Sequence, residues 1–409
     1  MLAGLRERIN DPNILRVYAT TFVLGVAYGT AIAVMSVYLN ERGFEEQAIG
    51  RLASIFALGI VALSLPMGFL IRRFSAKTTL TAALLGYALT VSVFPLLSSF
   101  AAIAVVRFLD GACSVGVWVS SETIVLRRAR REHKAYVTSL YAIAIAVGYI
   151  VGPVVARLAK TLFPLSYAFA VSGLLALFAC LYTWLRIERD PADIPDHGET
   201  AGDAAGSGLG ALLYRIKNSC FATFAYGYFQ VSVVLFLPLY LIKSKGILPD
   251  QTILIPAFFA GGMLLCSNLA GRIGDRVGHL AVMRVLAVVG LTMILGFVFL
   301  DSYVLMCAAV FVAGASLASI SPVSLALLGV SSPDYGRATS LYNGFYAAGM
   351  LLGPLISSQL LKNQGGAVML FHLAGLWMAF VLFSIVFYRD DPAVLRRRAL
   401  PQGSDTGSA

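Results

Sequence analysis

Twelve stretches of this chain are mainly apolar and long enough, at about 20 residues, to cross a bilayer as helices. They lie near 16–39, 48–71, 78–98, 101–125, 136–158 and 164–186, and resume after a gap near 217–242, 252–273, 280–300, 303–330, 338–361 and 367–388. In hydrocarbon, every backbone N–H and C=O must be satisfied within its own segment, so runs of this length leave an all-helical membrane bundle. Composition agrees, with 58% hydrophobic and 13% charged residues, against about 25% charged in a soluble domain. The first span follows a basic N-terminus, but it is too long for a signal peptide and lacks a small-residue cleavage site. It reads as a retained helix.

The two sets of six are related. SLYAIAIAVGYIVGP at 139–153 is echoed by SLYNGFYAAGMLLGP at 340–354, 201 residues later, with Ser-Leu-Tyr and Gly-x-x-x-Gly-Pro in one register. The glycines and prolines concerned are Gly148, Gly152 and Pro153, and Gly349, Gly353 and Pro354. DPA recurs at 190–192 and 391–393. Gly68 pairs with Gly271, each expected to begin a loop, and Gly111 with Gly314 in the fourth helix of its half, both offset by 203. Such a duplication predicts two six-helix bundles with a central site between them. The expected units are an N-terminal bundle over 1–189, a flexible linker rich in Gly, Ala, Asp and Pro over 190–213, a C-terminal bundle over 214–395 and a disordered tail over 396–409.

A net charge of +10 raises the question of nucleic acid. The cations sit where a membrane topology puts them, which argues against it. Arg72, Arg73 and Lys77, then Arg127, Arg128, Arg130, Arg131 and Lys134, and later Arg396, Arg397 and Arg398 share one side. The other side holds few, among them Arg42, Lys160, Lys243, Lys245 and Lys362. This bias predicts that both termini and the linker are cytoplasmic, in a bacterial inner membrane. The five cysteines lie in apolar runs without a CxxC pair, and the four histidines are scattered. Neither a metal site nor a cofactor is expected.

GRIGDRVG at 271–278 resembles the G-x-L-x-D-R-x-G loop motif of the major facilitator superfamily of secondary transporters, through Gly271, Asp275, Arg276 and Gly278. The first-half counterpart, GFLIRRFSAKTTL at 68–80, departs from it: Arg72 stands at the acidic position and Ser75 at the second glycine. RFLDGACSVG at 107–116 resembles the family's fourth-helix motif, with Arg107 as its arginine and Gly111 as its glycine. The Gly-x-x-x-Gly-Pro of the fifth helix resembles the motif of the family's proton-driven exporters. The resemblance covers about 16–390 and implies the major facilitator fold: all-α, integral to the membrane, with 12 transmembrane helices in two pseudo-symmetric bundles. It also implies a conformational role for the glycines, prolines and loop residues named.

Residue chemistry adds detail. Asp110 lies three residues after Arg107, on the same helix face. A charge inside the membrane costs about 2.5–3.5 kcal/mol on insertion scales, so it meets a partner or water. The pair reads either as a proton-coupling site or as a static ion pair. Glu122 is a third proton-coupling candidate and is expected to pair with Arg127, Arg128 or Arg72. Arg157 either snorkels outward or holds an anionic substrate. Tyr28, Tyr226, Gln230, Asn268, Asn343 and Tyr346 are candidates for lining the cavity, with Tyr228, Thr30 and Ser36 also polar members of those helices. The expected function is proton-coupled export of a small organic, amphipathic compound by alternating access. The alternative is an importer or facilitator, with Arg107 or Arg157 holding a carboxylate. No Asp or Glu occurs in 16–39, which shifts expectation from polycationic drugs to neutral or anionic solutes. An enzyme would need clustered catalytic groups that the chain lacks, and a transport-dead receptor is the remaining reading. The expected partners are a small-molecule substrate, protons and the lipid bilayer, with one chain acting as a monomer.

Overall fold

The computed structural model describes residues 11–129, 134–188, 209–331 and 335–388. Twelve helices there are long and apolar enough to span a membrane. They are α1 (Pro12–Glu41), α2 (Glu46–Phe74), α3 (Ala76–Val93), α4 (Phe100–Arg128), α5 (Lys134–Leu162), α6 (Tyr167–Arg186), α7 (Leu209–Lys245), α8 (Ile255–Val277), α9 (His279–Phe297), α10 (Tyr303–Ser331), α11 (Tyr335–Gln364) and α12 (Gly366–Val386). The protein is a multi-pass integral membrane bundle of the expected fold. Most of the linker and all of the tail lie outside the described residues. α7 begins at Leu209, inside the segment assigned to the linker.

Starts are set by local chemistry. Asp11 precedes Pro12, and its carboxylate accepts from the Asn13 backbone N–H at 2.7 Å, so a cap and a proline at the first helical position coincide. The Ser99 hydroxyl accepts from the Ala102 N–H at 3.2 Å and opens α4 in the same way. α10 carries a π-helical turn at Gly314–Ala318.

Glycine crossings hold each half together, and they repeat. In the first half, a Cβ on Gly59 would strike the Phe108 carbonyl and one on Gly111 the Phe56 carbonyl, so α2 and α4 touch backbone to backbone. In the second half, Gly262 meets Phe311 and Gly314 meets Phe259, each partner displaced by 203. α1 and α5 cross where Gly25 faces Gly148 and Gly29 faces Gly152. α7 and α11 repeat that crossing through Gly349 on Phe224 and Gly353 on Tyr228. Thr30, one residue past Gly29, donates to the Gly152 carbonyl at 3.1 Å. Close helix approach through small residues is what drives association in lipid, where apolar burial supplies little.

One expectation is corrected. Gly68 and Gly271 do not begin loops, because both lie inside their helices, α2 and α8. The link to the next helix is a single residue in each half, Ser75 (φ 77°, ψ 153°) and Gly278 (φ 115°, ψ 130°), again 203 apart. An apolar helix can run almost to the turn when one residue with positive φ reverses it. Ser75 is the only non-glycine residue with positive φ among the described residues. That conformation belongs essentially to glycine and costs another residue about 1–3 kcal/mol. The Ser75 hydroxyl caps α3 through the Thr78 N–H at 3.3 Å, but exchanging a serine cap for glycine costs only a few tenths of a kcal/mol. Relief of strain therefore outweighs loss of the cap. Ser75→Gly is expected to stabilise the protein by about 1 kcal/mol, and Gly278→Ser to destabilise it by about 1–3 kcal/mol. Thermal unfolding of the purified variants in detergent reads both signs.

Candidate functional site: a cavity between the halves

Contacts between the halves gather at one end. Lys362 on α11 pairs with Glu45, just before α2, at 2.7 Å, and Gln47 bonds Gln359 at 2.5 Å. Lys243 at the end of α7 pairs with Glu46, and Lys160 on α5 with Asp250 at 2.5 Å. Slightly deeper, the Ser54 hydroxyl donates to the Leu351 carbonyl at 2.7 Å, and Gly50 packs on the Pro354 carbonyl. The hydrogen bonds and ion pairs found between described residues of the two halves all lie here. At the opposite end, which carries Arg73, Lys77, Arg127 and Arg128, two ion pairs lie within the first half: Arg128 to Asp11 at 2.8 Å and Arg16 to Glu188 at 3.1 Å. The ties between the halves shut the bundle at the end of the 42–46 turn.

Aromatic rings line the middle. Tyr28 lies with its ring centroid 4.3 Å from Tyr87, 6.3 Å from Tyr149 and 6.4 Å from Trp118. On the other half, Tyr226 stacks on Tyr346 at 6.1 Å, and the Tyr346 hydroxyl donates to Gln230 Oε1 at 2.9 Å. Tyr149 is within electrostatic reach of both Tyr226 and Tyr346, so the two clusters meet. The polar group beside them is the Arg107–Asp110 ion pair, with side chains 13% and 8% exposed. The Arg107 guanidinium also lies 4.3 Å from the centre of the Phe56 ring, a cation–π contact. One carboxylate oxygen, Oδ2, takes Arg107. The other, Oδ1, is buried without a partner. The Tyr28 hydroxyl donates to Ser114 Oγ at 2.5 Å, and Ser114 donates to the Asp110 carbonyl at 2.8 Å. Asp110 also acts electrostatically on Tyr28, Tyr87 and Tyr149. The ion pair thus lies within electrostatic reach of the aromatic cluster.

The structure brings Arg107, Asp110 and Tyr28 together, and separately Tyr226, Gln230 and Tyr346. Asn268 and Asn343 are exposed on α8 and α11, with no hydrogen bond among the described residues. Glu122 departs from expectation. It makes no ion pair there, because Arg128 is taken by Asp11 and by the Glu188 carbonyl at 3.1 Å. Arg157 is exposed near the shut end, in reach of Tyr303. Asp275 pairs with His279 one turn on, at 3.2 Å. Tyr228 turns away from Tyr226 to bond His372 at 2.7 Å. Sequence reading missed Tyr87, Trp118 and Tyr149, and the crossing partners Gly25, Gly29 and Gly59. For Gly59 a signal existed: Phe-x-x-Gly at 56–59 recurs at 259–262.

A profile of the Major Facilitator Superfamily matches residues 17–301 and 219–405. The chain belongs to that superfamily. The uncharacterized MFS-type transporter YfkF of Bacillus subtilis (strain 168) is 23% identical over 88% of this chain and 92% of its own length. Among solved superfamily structures, a point mutant of the nucleoside transporter NupG superposes with a TM-score of 0.77 at 16% identity, covering 92% of this chain and 100% of its own. A bacterial homolog of the human lysosomal transporter Spinster, inward-facing and occupied, gives 0.71 at 12% identity over 95% and 97%. At these identities the structures share the superfamily fold.

Proposed function

We propose that this protein is a proton-coupled exporter of small organic compounds, working by alternating access as a monomer in a bacterial inner membrane with both termini cytoplasmic. The cation-rich loops support that orientation, and under it the end shut by the inter-half ties faces away from the cytoplasm, so an exporter would collect its substrate from the cytoplasmic side. The observation that carries the reading is Asp110: a carboxylate buried in the membrane, paired on one oxygen only and within electrostatic reach of the central ring Tyr28. Such a group takes or releases a proton when its access to water and its distance from Arg107 change, and rocking of the halves changes both. The reading with an arginine holding a substrate carboxylate finds less support, because Arg107 is already neutralised and Arg157 is exposed near the shut end.

The test uses everted membrane vesicles with an acidic lumen and a quenched acridine dye. Pools of candidate solutes should release quenching in the wild type, and Asp110→Asn should lower the response at least about tenfold, the scale of losing one essential proton carrier. Full response in the variant would leave Asp110 as a structural partner of Arg107. Accumulation of labelled solute by whole cells would favour import instead.

A further inference from the structure

α4 carries three charged side chains inside the span, and only two of them cancel. Arg107 and Asp110 neutralise each other. Glu122, three turns further toward the cation-rich end, has no ion pair or hydrogen bond among the described residues. It is also exposed. Glu122 stands one turn beyond Trp118 on the line of α4 that carries Arg107, Gly111 and Ser114, and it acts electrostatically on Tyr141 of α5. One turn back, Trp118 projects beside Tyr28, and its buried indole N–H has no partner. An acid with no pair among the described residues, on one helix face with a ring that packs beside Tyr28, is chemically specific. Ring faces are negative and attract cations. An unpaired acid inside a membrane span marks a functional site, with its missing partner to be named.

We propose that this partner is the substrate, a singly charged organic cation with an aromatic or quaternary-ammonium body. Glu122 supplies the counter-charge, and Trp118, Tyr28, Tyr149, Tyr226 and Tyr346 supply the walls. The inference rests on the transporter reading above and narrows its substrate class. It replaces the preference for neutral or anionic solutes drawn from the acid-free first helix, because the acid stands on α4 instead. Such a cation meets no uncompensated positive charge at the centre, since Arg107 is paired.

Two probes of one shape and opposite charge decide it. Labelled tetraphenylphosphonium is measured by equilibrium dialysis against the full chain in detergent, with unlabelled tetraphenylborate as competitor. The expected result is saturable binding of the cation, weakened at least tenfold by Glu122→Gln, restored in part by Glu122→Asp and not displaced by the borate. Trp118→Ala should also weaken binding, which shows that the rings and the charge act together. No binding, displacement by the borate, or unchanged affinity in a monodisperse Glu122→Gln protein would overturn the proposal. Binding that depends on Glu122 in a protein that moves no solute in vesicles would keep the site and overturn the transporter reading. Solute-driven proton flux without cation binding would do the reverse.

Discussion

Asp110→Ala will destabilise this protein by about 3–5 kcal/mol, although it deletes only one side chain. Removing one partner of a buried ion pair leaves the other charge uncompensated, and that is the costly outcome. Here the survivor is Arg107, largely buried and left with the face of Phe56 alone. Arg107→Met should cost a similar amount by stranding the carboxylate, whose Oδ1 already lacks a partner. The double variant Arg107→Met/Asp110→Leu should recover most of the loss, since an apolar pair of similar volume is often as stable as a buried ion pair. Thermal unfolding in detergent gives the coupling energy of the cycle. Additive losses in the double variant would show that the two side chains do not depend on one another. Stability and transport then separate cleanly, because the double variant is expected to fold and still fail to move protons.

The other large effect lies where α1 meets α5. A side chain at Gly148 has nowhere to go: its Cβ would sit 2.6 Å from the Phe22 carbonyl and 2.7 Å from the Gly25 Cα. Those obstacles are backbone, so no rotamer change relieves them. Overpacking a core that can adjust costs about 1–3 kcal/mol, and occasionally more. A backbone crossing cannot adjust without moving a whole helix, so Gly148→Val is expected at or above the upper end of that range. The readout is little monodisperse protein by size-exclusion chromatography. Gly349→Val, held against the Phe224 carbonyl and the Tyr228 N–H, should behave alike. Gly271→Ala and Gly344→Ala are the controls, because a Cβ at either position meets nothing within 4 Å. Equal losses at all four positions would mean that glycine matters here for flexibility rather than for approach.

Much of this architecture could be read from the chain. Twelve spans, two halves and the doubled Gly-x-x-x-Gly-Pro follow from run length and from the 201-residue echo, because hydrocarbon admits few folds. The site was legible only in pieces. Arg107 and Asp110 declared themselves as charges out of place, and Tyr226, Gln230 and Tyr346 as polar groups on one helix pair. Tyr87, Trp118 and Tyr149 did not, because helices apolar all round carry no stripe to show which face turns inward. Rotation also decides the fate of Glu122: the nearby arginines in sequence suggested a pair, while the fold sends Arg128 to Asp11. The loop assignments at Gly68 and Gly271 failed because a turn of one residue leaves almost no polar gap in the hydropathy.

The two kinds of seam in this molecule differ in how they yield. The crossings inside each half are backbone on backbone, and they cannot slide by a fraction of a turn without collision. The seam that shuts one end is mainly a row of side-chain ties, Glu45–Lys362, Glu46–Lys243, Lys160–Asp250 and Gln47–Gln359. Exposed ion pairs are worth about 0–1 kcal/mol each, so these ties separate in succession, like a zip. The halves therefore behave as two stiff shells hinged on a soft edge. Their opening is graded in small steps at the rim, while the geometry around the central rings stays fixed within each shell.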